Sequence, residues 1–320
     1  MARPSVTNAP ARGGEAARDA AGGSASAPVR DQPTRGPAVW RCRDRALSLE
    51  RPLVMGVINV TPDSFSDGGR FLEPGAALAH ARRLLDEGAD LLDLGAESTR
   101  PGAEPVPADE QWRRLSPVLE GLARETRAVI SVDTSSAAVA ARVLAAGAHA
   151  INDVSALGDP EMGGAVAGSG AGLVLMHMRG TPATMQRDPR YDDVVAEVAG
   201  FLAARRDAAR AAGIADDAIV LDPGIGFGKT VEHNLALLGR IEALAALGAP
   251  VLIGVSRKRF LGALAGDLPA DERLEAGLAA AAIAVLNGAA IVRTHDVEPT
   301  VRALRVAFAI RMAGAHDTGT

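Results

Sequence analysis

The sequence predicts an α/β protein of the (β/α)8 TIM barrel class, built as a single domain, on three observations. Eight short apolar runs recur along the chain, each closed by a polar residue or cluster and each followed by a helical pattern. The runs lack polar alternation, as expected of parallel strands covered on both faces. The chain has 320 residues, 48% of them hydrophobic, which accommodates one barrel of about 250 residues. Eight strand–helix units favour a closed barrel over an open doubly wound sheet. A closed parallel barrel gathers all strand ends at one mouth, so polar residues scattered along the sequence belong to one pocket.

The elements follow in order. Leu53–Val60 ends on Asn59–Thr61, and a loop of about a dozen residues leads to helical spacing over Pro74–Gly88, with proline at its start and glycine at its end. Leu91–Gly95 opens onto Glu97, Thr99 and Arg100, and Asp109–Thr126 is the next helix. Ala128–Val132 ends at Asp133, after which Ser135 or Ser136 caps a helix reaching Gly147. Ala148–Ile151 runs into Asn152–Asp153, and Gly172–Met176 into His177, with helical intervals over Tyr191–Gly213. Ile219–Leu221 ends at Asp222, and one helix is expected over Val231–Gly248. Val251–Val255 meets Ser256–Arg257–Lys258 before the helix Glu272–Asn287. Ala289–Val292 meets Arg293–His295, and Glu298–Ala313 completes the ring.

The ends differ from this frame. Residues 1–45 are rich in Ala, Gly, Pro, Arg and Ser without apolar periodicity, and are expected to be a disordered extension. No apolar core of a signal peptide is present there, and Glu15, Asp19 and Asp31 weaken an organellar transit reading. Residues 46–314 form the expected barrel, and 315–320 a frayed tail.

Composition excludes several roles. A formal charge of −5 and an aromatic content of 3% argue against a nucleic-acid partner. No apolar stretch reaches the roughly 18 residues that span a bilayer, so a membrane role is not expected. Cys42 is the single cysteine, which rules out an intrachain disulfide and thiolate-bound zinc, and suits a reducing, cytoplasmic setting. The glycine-rich string Gly224–Thr230 is no phosphate cradle: a P-loop needs glycine where Pro223 stands, and the dinucleotide fingerprint needs one at Lys229.

Longer strings are more specific. Asn59-Val-Thr-Pro-Asp-Ser-Phe-Ser-Asp-Gly-Gly69, Gly95-Ala-Glu-Ser-Thr-Arg-Pro-Gly102, Val132-Asp133-Thr134, Ile151-Asn152-Asp153 and Met176-His177-Met178 occur in that order. Asp222-Pro-Gly-Ile-Gly-Phe-Gly-Lys229, Ser256-Arg257-Lys258 and Arg293-Thr294-His295-Asp296 follow them. Over about residues 50 to 310 these strings resemble the dihydropteroate synthase family. The resemblance implies a transferase of folate biosynthesis. Its members join 6-hydroxymethyl-7,8-dihydropterin diphosphate to para-aminobenzoate, giving 7,8-dihydropteroate and pyrophosphate. It also implies Mg²⁺, sensitivity to sulfonamides, and a homodimer joined through barrel helices away from the mouth.

The residues can be matched to that chemistry. A pterin presents a flat edge of N–H donors, and a buried carboxylate is its bidentate partner. Asp133 and Asp222 can serve that edge, Asn152 offers both donor and acceptor, and Lys258 donates to ring acceptors. Met176 can pack on a ring face, and Gly226 lies in the same string. Met176 also reads as core, and Asn152 as a helix cap. For the departing diphosphate, Arg293 and His295 alternate at one strand end, Thr99 and Arg100 belong to the family string, and Asn59 resembles the family's Mg²⁺ ligand. Phe65, Ser66 and Asp67, with Thr99, Arg100 and Pro101, resemble its para-aminobenzoate site. Phe65, Pro101 and Phe227 give apolar walls, and the Ser256 hydroxyl a carboxylate anchor. Asp133, Asp222 and Lys258 act electrostatically, and Asp67 through loop closure, with Gly68-Gly69 as a hinge or a simple turn. His177 ends a strand and can belong to the site, whereas His80, His149, His233 and His316 read as structural or solvent-facing. A catalytically inactive pterin-binding paralogue and a pterin-dependent methyltransferase are the alternative readings.

Overall fold

The computed structural model describes residues 38–61, 74–98 and 102–316. The expected extension up to residue 37, the loop residues Phe65, Ser66, Asp67, Gly68 and Gly69, the string Thr99, Arg100 and Pro101, and residues 317–320 lie outside the described residues.

Two short strands, β1 (Val39–Cys42) and β2 (Arg45–Ser48), form an antiparallel hairpin, with Val39 opposite Ser48 and Cys42 opposite Arg45. The folded unit therefore begins before residue 46, which corrects the expected boundary. Trp40 and Cys42 alternate inward and are fully buried. They pack with Leu53, Met55, Leu91, Val129, Ala150, Val174, Val220, Leu252 and Ile291, all at or near the starts of barrel strands. The hairpin thus covers the N-terminal end of the barrel. The Trp40 indole N–H donates to the Ala218 carbonyl at 2.9 Å, and the Arg43 guanidinium donates to the carbonyls of Leu144 and Ala148 at 2.8 and 3.1 Å.

Eight parallel strands make the barrel: β3 (Leu53–Asn59), β4 (Leu91–Gly95), β5 (Val129–Asp133), β6 (Ala150–Asp153), β7 (Gly172–Met176), β8 (Ile219–Asp222), β9 (Leu252–Gly254) and β10 (Ile291–Thr294). Their order is β8-β7-β6-β5-β4-β3-β10-β9, and a parallel bridge between Leu221 and Val251 closes the ring. Each expected run is a strand, and several extend onto the polar residue that ends them, as at Asp133 and Asp222.

The helices are α1 (Pro74–Asp86), α2 (Ala108–Glu125), α3 (Ala137–Ala145), α4 (Met162–Ser169), α5 (Val194–Ala211), α6 (Val231–Gly239), α7 (Ile241–Ala245), α8 (Arg259–Leu264), α9 (Leu274–Leu286) and α10 (Val297–His316). Ser136, rather than Ser135, caps α3 by accepting the Val139 N–H. Four features depart from expectation, one of them the short helix α8, which was not anticipated. The helix expected over Val231–Gly248 is broken at Arg240, whose φ of −134° leaves the helical region. The helix α4 was not anticipated, because its sequence of small residues and glycines carries no apolar stripe. The last helix reaches His316, inside the stretch expected to fray.

The main core lies between the strands and the helical ring. Ile58, Leu92, Leu94, Ile130 and Val132 from the strands meet Leu84, Leu115, Leu119 and Leu122 from the helices, all nearly or fully buried. Each such side chain contributes about 1.5–3 kcal/mol of hydrophobic stabilisation. No helix among the described residues is long and apolar enough to cross a membrane.

Candidate active site

The strand ends bring the expected polar residues to one mouth. Asp133 closes β5 beside Asn152 of β6, and Met176 closes β7 beside Asp222 of β8. All four side chains are buried. Arg293 of β10 reaches across the mouth as a fork. Its Nε donates to Asp93 Oδ2 at 2.6 Å and an Nη2 hydrogen to Asp133 Oδ2 at 3.2 Å. Asp93 also accepts from Asn152 Nδ2 at 3.0 Å. A carboxylate only accepts, so this bond fixes the amide's orientation and leaves its oxygen pointing elsewhere. That oxygen, Asn152 Oδ1, is buried without a partner among the described residues, as are Asp93 Oδ1 and Ser131 Oγ. The pocket floor is therefore rich in hydrogen-bond acceptors.

Asp93 was missed by sequence reasoning. It sits mid-strand in the apolar string Leu91–Gly95 and is fully buried. A charged residue inside such a run is itself the signal, because a buried carboxylate persists there only with partners.

Burial sets the electrostatics. It pushes the Asp133 carboxyl up to about 7, with Arg293 partly offsetting it, and Asp222 up to about 6. The Gly224 N–H, 2.7 Å from Asp222 Oδ1, opposes the latter shift, as do Lys258 and Lys229. Burial likewise lowers Lys258 to about 8, while Asp222 and Asp133 hold it up and Arg293 depresses it further. Asp133, Asp222, Lys258 and Arg293 thus share one electrostatic neighbourhood. The Lys258 ammonium lies 4.0 Å from the centroid of the Phe227 ring, forming a cation–π contact. Gly226, with φ +84°, lets the lysine lie close, since a Cβ there would stand 3.1 Å from Lys258 Cδ.

The remaining expected residues take more specific places. His295 is held neutral, lowered to about 3 by burial and then by Arg293. It is an uncharged partner for any anion, which leaves the positive charge to Arg293 and Lys258. Ser256 Oγ lies 3.1 Å from His295 Nδ1, accepts the His295 N–H at 3.3 Å and donates to Asp296 at 3.4 Å. Its hydroxyl is engaged by the His295–Asp296 segment rather than standing open as a carboxylate anchor. Arg257 pairs with Asp296 at 2.6 Å and adopts φ +59°, a left-handed turn that separates its side chain from that of Lys258. Asn59 ends β3 opposite Gly95, and its Oδ1 would lie 3.8 Å from a Cβ on that glycine. Glu97 accepts from the Val106 N–H at 3.0 Å and from Gln111 Nε2 at 3.2 Å, tying the β4 loop to α2. His233 completes a capping box with Thr230 at the start of α6, as a structural histidine.

The chain matches the family model for pterin binding enzymes over residues 55–295. Over 277 residues it is 48% identical to the dihydropteroate synthase of Neisseria meningitidis serogroup B, covering 84% of this chain and 96% of that protein. Its fold matches that of the Xanthomonas albilineans dihydropteroate synthase solved with 4-aminobenzoic acid, with a TM-score of 0.81 and 48% identity, covering 87% of this chain and 99% of the other. The Burkholderia cenocepacia dihydropteroate synthase complexed with 7,8-dihydropteroate gives a TM-score of 0.80 and 46% identity, over 88% and 100% of the two chains. Matches of this extent, spanning the whole barrel and its mouth, place the chain in the pterin-binding enzyme family, among the dihydropteroate synthases.

Proposed function

We propose that this chain condenses 6-hydroxymethyl-7,8-dihydropterin diphosphate with para-aminobenzoate to 7,8-dihydropteroate, releasing pyrophosphate. The observation that carries the reading is the convergence of Asp133, Asn152, Asp222, Lys258 and Arg293 in one barrel mouth. The guanidinium-like edge of a pterin requires acceptors, and Asp222, Asp133 and the free Asn152 oxygen supply them. Lys258 serves the ring's acceptor atoms. The exocyclic carbon–oxygen bond breaks with its electron pair passing to pyrophosphate, and the amine nitrogen forms the new bond to that carbon. The aniline proton is then released. Buried carboxylates favour the electron-poor pterin that develops as the diphosphate departs. No side-chain nucleophile is required, because the aniline nitrogen is uncharged near neutral pH.

Mg²⁺ fits this site as a companion of the diphosphate. Among the described residues no group of three or more His, Cys, Asp or Glu forms a metal cage. Asn59 would supply one hard amide oxygen, with the diphosphate oxygens providing further ligands. When bound, the ion would neutralise charge on the leaving group. Arg293, paired with Asp93 and Asp133, is a cation of the same mouth that would share that task.

A second copy of this chain is the partner proposed for the outer face of α9 and α10. Ile283 and Leu286 on α9, with Val306 and Ile310 on α10, are 40–62% exposed although all four are large and apolar. The two helices pack together, with Arg311 donating to the Val285 carbonyl at 3.2 Å. A cytoplasmic setting agrees with a single cysteine that is buried.

Mixing the protein with both substrates and Mg²⁺, and measuring pyrophosphate and dihydropteroate together, tests the reaction. Equimolar formation of both is expected. Pterin binding without turnover would favour an inactive paralogue, and methyl transfer from a methylated pterin would favour the methyltransferase.

A further inference from the structure

Lys229 has been given no role above beyond its charge near Asp222, yet it is a buried amine with an unusual set of partners. It is 4% exposed. Its Nζ donates to the Gly224 carbonyl at 3.0 Å and the Phe227 carbonyl at 2.9 Å, and lies 3.0 Å from His177 Nδ1. The His177 carbonyl is a fourth acceptor at 3.4 Å, and burial lowers Lys229 to about 7, so in its ammonium form three N–H groups are shared among these partners. His177, lowered to about 3 by burial and by Lys229, is neutral and accepts through Nδ1. No carboxylate among the described residues pairs directly with Lys229. Desolvating an ammonium is costly, so an apolar side chain of similar length would fill the same space at less expense to stability.

These acceptors belong to three different parts of the site. His177 follows β7, whose last residue is Met176. Gly224 is two residues beyond Asp222, and its own N–H is the donor that orients the Asp222 carboxylate at 2.7 Å. Phe227 is the ring beneath the Lys258 ammonium. Gly224 is also pressed so closely against β7 that a Cβ on it would fall 1.9 Å from the His177 carbonyl oxygen. Other contacts hold a different part of the loop: the Gly226 N–H donates to Asn234 Oδ1, Gln186 Nε2 donates to the Gly226 carbonyl, and the Tyr191 hydroxyl donates to the Gly228 carbonyl. The Phe227 N–H also donates to the Gly224 carbonyl at 3.0 Å, and Lys229 adds the side-chain grip that joins both carbonyls to His177.

We propose that Lys229 is a positioning residue that locks the Asp222 carboxylate and the Phe227 ring to one another and to the end of β7, so that both substrates are held in register. The proposal rests on the dihydropteroate synthase reading, with the pterin on Asp222 and para-aminobenzoate beside Phe227. Gly224 and Phe227 transmit the effect. Lys229 itself touches neither substrate.

A double-mutant cycle in the full-length protein tests it, with melting temperature, kcat and both KM values measured for wild type, Lys229→Met, Phe227→Ala and the combined variant. Because the other loop contacts remain, Lys229→Met is expected to fold. Its KM should rise about tenfold for each substrate, the size expected from losing charge-assisted hydrogen bonds. Phe227→Ala should raise the KM of para-aminobenzoate alone. In the combined variant the para-aminobenzoate losses should be less than additive, while the pterin loss from Lys229→Met should persist. A lowered melting temperature with both KM values unchanged, or fully additive para-aminobenzoate losses, overturns the positioning role. Should Lys229→Met fail to fold, His177→Leu removes one acceptor and carries the same cycle, with a smaller rise of the same pattern expected. Wild type that releases no pyrophosphate would instead sink the functional reading.

Discussion

Asp222 shows what a functional carboxylate costs its protein. Its ionisation is pushed up to about 6, first by burial, against an ordinary value near 4. A carboxyl whose folded value lies above its unfolded value stabilises the fold in acid and loses that contribution as pH rises through the folded value. Asp222→Asn keeps an acceptor for the Gly224 N–H but removes the buried charge. The variant should therefore melt at or above the wild-type temperature at pH 8, and the advantage should vanish below about pH 4. Turnover, measured as pyrophosphate release, should fall by about 10²–10³ if the charge serves the developing cation. Unchanged turnover would remove Asp222 from the mechanism. The same directions shape a pH profile. For pterin diphosphate, kcat/KM should climb between about pH 6 and 7 as Asp222 and Asp133 ionise, then decline above about 8 as Lys258 loses its proton. Replacing Lys258 with Met should abolish the alkaline limb and leave the acidic one.

At the level of elements, the strands were legible and the small pieces between them were not. Doubly covered parallel strands are unbroken apolar runs, and β3 through β10 each declared themselves by that and by the polar residue at the end. Asp133, Asn152 and Asp222 were legible for the same reason, since strand ends face the mouth. Asp93 was hidden because it lies mid-strand, where its role depends on Arg293, 200 residues away. The hairpin β1–β2 was hidden because four-residue strands give too few alternations to stand out from a low-complexity stretch, although Trp40 and Cys42 both point inward. It contributes substantially all the same. Trp40→Ala should destabilise the protein by about 3–5 kcal/mol, as a large aromatic deletion does, with little change in KM. Thermal melting beside steady-state kinetics separates the two effects. Gly224→Ala should do the reverse of a clean substitution. With φ +65° and a Cβ falling 1.9 Å from a backbone oxygen, the loop must shift, and activity should be lost together with stability.

For the whole molecule, the outer face of α9 and α10 is the surface proposed for association. Placing charges at its centre, with Ile283→Asp and Val306→Asp together, should yield monomers in light scattering while melting remains cooperative. A variant that stays dimeric would move the interface elsewhere. The identity of the family was readable from the sequence because its strings are long and sit at strand ends, whereas the helical face proposed for association was not, since exposed apolar residues on helices show no pattern distinct from a packed face. The hairpin has a last consequence for traffic. Among the described residues, Trp40 fills the far end of the barrel, and Asp133 and Asp222 lie buried at the opposite, open end. On the proposed reading, the bicyclic substrate would enter ahead of the benzoate, and the joined product would leave by the same mouth. Flooding the mouth with para-aminobenzoate beforehand should therefore slow the first turnover.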